Sequence, residues 1–356
     1  MSDKIGLYDP WSLGPLTIKN RLVRSATFEF AALDGRLSPA IRDLTLKLAA
    51  GGSGLIITGM AGISKEATIG PVMVDASHPD FRSDLRDLTT AAAQFTAPIM
   101  VQLNHSGYRT RRDGDNFGVS ELVEPDGYVH REATIEDIQK VVTDFASAAL
   151  RCQEGGAAGV QIHAAHGFLI ATFLSPATNQ RSDGYGGPIA NRARILLETY
   201  AAVRAKVGPD YPVAVKLHFS DGPDPSITPD EVVWVSQELA QRGLNMIEVS
   251  SGVVNEAGAT TFAPLIKRGQ EGPFLSGAAL LAEKVQIPVV SVCGYRTPDF
   301  IAKALNETKI AAVSLCRPLI REPDLPNRWR TDRSPAKCVS CGKCFNPDGL
   351  VTCRAL

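Results

Sequence analysis

Two groups of residues in this sequence have the types and spacing to do chemistry. His163 and His166 stand three apart in the stretch HAAHGFLIATFLSPATNQRSDGYGGPIANRAR. Side by side on a cleft wall, two imidazoles can donate to one carbonyl oxygen and polarise it as an oxyanion hole does. A lone histidine is more often a satisfied structural residue, whereas a pair at one strand end points to function. The second group closes the chain. Four of the seven cysteines, Cys338, Cys341, Cys344 and Cys353, fall in its last nineteen residues with the spacing C-x2-C-x2-C-x8-C. In a reducing compartment such a group reads as a metal or redox site before it reads as disulfides. Four thiolates suit a 4Fe–4S cluster or tetrahedral zinc, and free thiols or a disulfide are the plain alternative. Cys152 and Cys293 sit in apolar surroundings and read as core residues.

The elements that must position these groups follow from periodicity. Short, nearly continuous apolar runs at 22–25, 54–58, 98–103, 159–163, 213–217, 246–249, 288–292 and 311–315 predict strands buried on both faces, as in parallel sheets. Amphipathic helical patterns fill the gaps. The one at 38–50 opens on Ser-Pro and stops at Gly51-Gly52, and 134–154 opens on Thr-x-x-Asp and ends before Gly155-Gly156. Those at 228–242 and 297–305 both open on Thr-Pro. Eight strands alternating with helices predict an α/β fold, a (β/α)8 TIM barrel, which fits a single domain of 356 residues. The rival, a doubly wound open sheet for a dinucleotide, lacks a G-x-G-x-x-G after the first strand. In a barrel, chemistry sits at the C-terminal strand ends, where four of the six histidines fall. Lys216 is there too, and a lysine so placed can be a Schiff-base nucleophile. The long polar loop 104–133, with Arg109, Arg111 and Arg112, reads as a lid or binding loop.

Composition narrows the partners. Hydrophobic residues make up 44% and charged residues 21%, which is globular rather than disordered. Lys plus Arg number 37 against 38 Asp plus Glu. With no basic field to release counterions, the charge balance argues against nucleic acid. No apolar stretch approaches the ~20 residues of a membrane span. The start, MSDKIGLYDP, has no apolar signal core, so a cytoplasmic protein is expected.

The stretch from His163 to Arg194 resembles the Old Yellow Enzyme family of FMN-dependent oxidoreductases. It matches the variant in which the pair is His–His, as in bacterial 2,4-dienoyl-CoA reductases. The resemblance extends through Lys19-Asn20-Arg21, QLNHSG at 102–107 and RPLIREPDLP at 317–326. It implies an FMN-binding barrel over 1–335 and a separate cysteine-rich tail over 336–356. His163 and His166 would hold a substrate carbonyl. Ala26 and Gly59 would lie along the isoalloxazine, and Gln102 would bond its pyrimidine edge. Lys216 replaces the family's usual Arg beside N1 and O2. The phosphate would sit near Gly294, Arg296 and Arg317. The implied reaction is NAD(P)H-dependent reduction of an activated C=C bond, in a homo-oligomer acting on a small molecule.

The sequence also departs from the family. The proton-donating Tyr is Phe168 here, so water or Tyr185 would have to serve, or the reaction runs oxidatively as in an FMN dehydrogenase or demethylase. Thr27 stands one place off the usual hydroxyl beside the flavin, and Phe28 has none. Cys316 replaces the Gly that usually precedes the strand-eight Arg. The tail matches the 4Fe–4S motif of multidomain relatives in position and ligand count, although the later gaps there are longer. Those relatives continue into FAD and NAD(P)H domains, whereas this sequence ends at Leu356. With a cluster, a separate electron-transfer protein is expected and the chain could act as a flavin electron-transfer subunit. Without one, NAD(P)H reduces the flavin directly.

Overall fold

Strands form where the apolar runs are because every side chain in them is buried, on one face in the barrel and on the other beneath helices. A computed structural model describes residues 4–110, 114–222, 224–251, 270–344 and 349–355. Its barrel strands are β1 (Leu22–Arg24), β2 (Leu55–Gly62), β3 (Ile99–Asn104), β4 (Gly159–Ala164), β5 (Val213–His218), β6 (Met246–Ser250), β7 (Val289–Val292) and β8 (Ala312–Leu315). Each pairs in parallel with the next. β8 returns to β1 with Val313 opposite Leu22, so the ring closes without a free edge.

The helices after β1 to β7 are α1 (Pro39–Ala50), α2 (Phe81–Ala92), α3 (Ile135–Glu154), α4 (Arg194–Val207), α5 (Pro229–Gln241), α6 (Leu275–Lys284) and α7 (Pro298–Glu307). Ser38 caps α1 through the Ile41 N–H, and Thr134 and Thr228 form capping boxes with Asp137 and Glu231. The third Thr-Pro behaves differently. The Thr297 side chain does not cap α7, and the Glu271 carboxylate takes the N–H groups of Arg296 and Thr297 instead.

Two features escape the periodicity. The antiparallel hairpin Trp11–Leu13 and Leu16–Ile18 plugs the N-terminal end of the barrel. Its Trp11, Leu13 and Ile18 pack on the inward residues Val23, Leu55, Ile57, Met100 and Met246. The cysteine-rich tail lies against the barrel. Ala336 N–H donates to the Arg296 carbonyl, Lys337 N–H to Glu322, and Val351 N–H to the Glu29 carbonyl. In the long loop, three short strands, Phe117–Gly118, Leu122–Val123 and Val129–Glu132, form a small sheet. Arg111 and Arg112 lie outside the described residues. Among the described residues no helix is long and apolar enough to cross a membrane.

Candidate functional site

A polar layer crosses the barrel interior just below its mouth. The side chains come from β3, β4, β5, β6 and the residue after β1, brought level by the strand register: Gln102 opposite Gln161, and Lys216 opposite Glu248. Gln102 Nε2 donates to Gln161 Oε1 at 2.8 Å, and Gln161 Nε2 donates to Glu248 Oε2 at 3.0 Å. Lys216 Nζ donates to Glu248 Oε2 at 3.0 Å and to Ser25 Oγ at 2.9 Å, and Ser25 Oγ in turn donates to Glu248 Oε1. Burial alone would raise the Glu248 carboxyl. The Lys216 ammonium and the Ser25 hydroxyl more than offset this and hold it below its ordinary value. Glu248 and Gln161 were not among the residues expected from the sequence. The signal was there, because a charge inside the short apolar strand MIEVS must face the interior and be paired.

Above this layer opens a cleft of about 1050 Å³, its mouth included. The two histidines stand at its β4 side. His163 ends buried on β4, and its Nδ1 accepts the Ala165 N–H at 3.3 Å, which leaves the proton of the neutral ring on Nε2. His166 follows in the left-handed region, at φ 60°, and its Nε2 pairs with Ser250 Oγ at 2.7 Å. The two rings meet edge to face, 5.1 Å between centroids. Burial above all, then the positive field of Lys216 and Arg109, holds both imidazoles well below the usual histidine value. Both are therefore neutral near pH 7, each with one N–H to donate. Behind them His218, on β5, donates Nδ1–H to the Ala164 carbonyl and lies 3.0 Å from Asp221. Burial lowers the His218 value, but the Asp221 carboxylate outweighs it, and the net shift is upward. This buried pair anchors the turn that carries the two histidines.

Phe168 lines the same wall, 4.9 Å from the His163 ring, with the Arg109 guanidinium 5.3 Å above it. Tyr185 does not replace the missing phenol. It is absent from the cleft lining, its hydroxyl donates to Glu198 at 2.9 Å, and burial pushes its value up to about 12. Tyr295 is the tyrosine that does line the cleft, and its hydroxyl is spent on Ser291.

Of the residues expected along the flavin, Ala26, Thr27, Gln102, Lys216, Gly294, Arg296, Cys316 and Arg317 all line the cleft. Gly59 does not. A bulge between Ile57 and Met60 turns Met60 into the cleft and leaves Gly59 behind it, with its N–H bonded to Glu29 at 2.8 Å. A Cβ at Gly59 would lie 1.9 Å from Glu29 Oε2 and 2.7 Å from the Thr27 backbone carbonyl oxygen, so the site favours glycine. The Thr27 hydroxyl faces the Ser25 carbonyl and the Cys316 sulfur, 3.0 and 3.1 Å away. Cys293, read from sequence as a core residue, lines the cleft at φ 91°, beside Gly294 at φ 78°. Burial lifts its thiol to about 11, so it is no thiolate nucleophile at neutral pH.

The four tail cysteines all line one small cavity together with Arg317 and Ser340. Cys353 Sγ accepts from Arg321 at 3.2 Å and Cys338 Sγ from the Ser340 N–H at 3.4 Å. The thiols are the right donors for a soft metal, but among the described residues no three His, Cys, Asp or Glu are arranged to hold an ion.

A closed parallel barrel with neutral imidazoles, a buried cation and paired arginines around one mouth is built for a cofactor-dependent reaction. The sequence profile of the NADH:flavin oxidoreductase / NADH oxidase family matches residues 6–335, and the chain belongs to that family of FMN-dependent oxidoreductases. It is 29% identical over 351 residues to an NADH oxidase of Thermoanaerobacter brockii, covering 94% of this chain and 52% of that protein. It is 31% identical over 363 residues to an N,N-dimethylglycine/sarcosine dehydrogenase of Chromohalobacter salexigens, covering 96% of this chain and 51% of the relative. The chain thus spans about half the length of these relatives. Among solved structures, a 2-naphthoyl-CoA reductase superposes with a TM-score of 0.85 at 23% identity, over 93% of this chain and 53% of that one.

The cleft fits the family's FMN on its own features. One of the three Lys216 N–H groups remains beyond its two bonds, and Gln102 keeps its carbonyl and a second N–H. Across the ring from the histidines, Arg296 and Arg317 supply the charge a phosphate needs.

Proposed function

We propose that this chain catalyses NAD(P)H-dependent reduction of a C=C bond conjugated to a carbonyl. The observation that carries the reading is the convergence of two neutral, oriented imidazoles on the wall of the flavin cleft. FMN, when bound, supplies hydride transfer at N5. The protein does the rest. His163 Nε2–H donates to the substrate carbonyl oxygen, as does His166 Nδ1–H in the tautomer whose Nε2 accepts from the Ser250 hydroxyl, and the polarisation makes the β-carbon electrophilic. Ser250 fixes the ring of His166, and the His218–Asp221 pair fixes the turn beneath it. Gln102 and Lys216 hold the flavin's pyrimidine edge. With Phe168 in the acid position and both nearby phenols committed, the proton comes from solvent.

Phe168 also favours a second reading, oxidation of a substrate such as an amine, because that direction needs no acid at this position. Anaerobic stopped flow separates the two. Enzyme reduced by NADPH or NADH is expected to be reoxidised by 2-cyclohexenone. His163→Asn and His166→Asn should each slow that step ~100-fold without lowering flavin content. Bleaching of the oxidised flavin by dimethylglycine without nicotinamide, together with no reoxidation by enones, overturns the reductive reading.

A further inference from the structure

The cleft and the cysteine cavity share a wall. Arg317 and Ser340 line both. Ser340 stands between Cys338 and Cys341, is 6% exposed and holds φ at 54°, a region that non-glycine residues seldom adopt. Two contacts keep it there. Its backbone N–H donates to the Cys338 sulfur at 3.4 Å, and its hydroxyl oxygen accepts from Arg296 Nη2 at 2.9 Å. The carbonyl of the same Arg296 accepts the Ala336 N–H at the base of the tail. A serine that accepts from arginine still has its own O–H to donate. Ser340 lines the cleft beside two buried guanidiniums, Arg296 and Arg317, at the end opposite the histidines. A donor among fixed cations recognises a compact anion with several oxygens.

We propose that Ser340 is a ligand of the flavin phosphate, so that the cysteine tail is part of the cofactor site and chemistry at Cys338 is coupled to phosphate binding. The proposal rests on the reading of the cleft as the flavin site. Coupling is reciprocal: the phosphate holds Ser340 in its strained conformation, and Ser340 in turn holds the Cys338 sulfur on its backbone N–H.

The test uses the full chain stripped of flavin, with FMN and riboflavin binding read by quenching of flavin fluorescence. Ser340→Ala removes the hydroxyl, and Ser340→Gly removes it while easing the backbone. Both variants are expected to weaken FMN binding about tenfold or more and to leave riboflavin binding unchanged. In the unaltered chain, FMN should slow alkylation of Cys338 by iodoacetamide several-fold, as read by mass spectrometry, and riboflavin should not. In Ser340→Gly that protection should disappear. Equal weakening of both flavins, unchanged FMN binding, or equal protection by riboflavin would overturn the proposal. If the unaltered chain binds neither flavin, the cleft reading falls with it.

Discussion

Phe168 and Glu29 are the two single residues with the clearest consequences. Phe168 presents a ring where an acid is useful, with a guanidinium over its face. Phe168→Tyr restores a phenol beside His163, and the nearby Arg109 charge favours its release of a proton. The oxidative half-reaction with an enone is expected to accelerate ~10- to 100-fold, read by stopped flow. Unchanged rates would mean that protonation does not limit turnover. Glu29 is a buried carboxyl raised to about 7, chiefly by burial and against the pull of the Gly59 N–H and Arg24. Its folded value lies above its unfolded one. Its contribution is therefore fully present below pH ~4.5 and is lost as pH rises through 7. Glu29→Gln keeps an acceptor for the Gly59 N–H and removes that loss. In denaturant titrations it should equal the parent near pH 4.5 and exceed it by up to about 3 kcal/mol at pH 8.

At the scale of elements, the strand register decides what Lys216 is. On β5 it stands opposite Glu248 on β6, and the pair is almost wholly buried. The ammonium is thus part of the barrel layer as well as a cation lining the cleft. Its bonds to Glu248 and Ser25 also hold Nζ within the layer, a poor placement for Schiff-base attack on a substrate carbonyl. Lys216→Met strands a buried carboxylate and should cost about 3–5 kcal/mol, whereas Lys216→Met with Glu248→Gln should regain most of it. Chemical denaturation of the flavin-free chain checks both. If the double variant is no more stable than the single one, the pair is not the coupled unit described here. The turn after β4 follows the same logic, since its position depends on His218 from the neighbouring strand.

Over the whole molecule, the N-terminal hairpin and the cysteine-rich tail pack at opposite ends of the barrel. The N-terminal hairpin inserts Trp11, Leu13 and Ile18 under the ring, and Trp11 Nε1 donates to the Asn20 carbonyl. The tail contributes Ser340 to the cleft, and its Val351 N–H donates to the carbonyl of Glu29 on the loop after β1. Trp11→Ala opens a cavity beneath the ring and forfeits that hydrogen bond, at about 3–5 kcal/mol. Because the strands form one closed ring, the loss should lower the midpoint of a single transition in which flavin release and loss of secondary structure coincide. Flavin release well before unfolding would show that the mouth and the plug are energetically separate.

Much of this protein is legible in its sequence because the relevant signals are local. Apolar runs become strands, Ser38, Thr134 and Thr228 start helices, and a histidine pair marks the strand end at which the cleft opens. What remained hidden depends on contacts between residues far apart in the chain. Glu248 meets Lys216 only through the register of β5 and β6, and a bulge in β2 exchanges Gly59 for Met60 at the cleft. Tyr185 sits close to the histidines in sequence, yet its hydroxyl is turned away onto Glu198. Ser340 reaches Arg296 only because the tail folds back over the mouth. Periodicity and caps record which face of an element is apolar. Only closure of the ring determines which side chains then share one cavity.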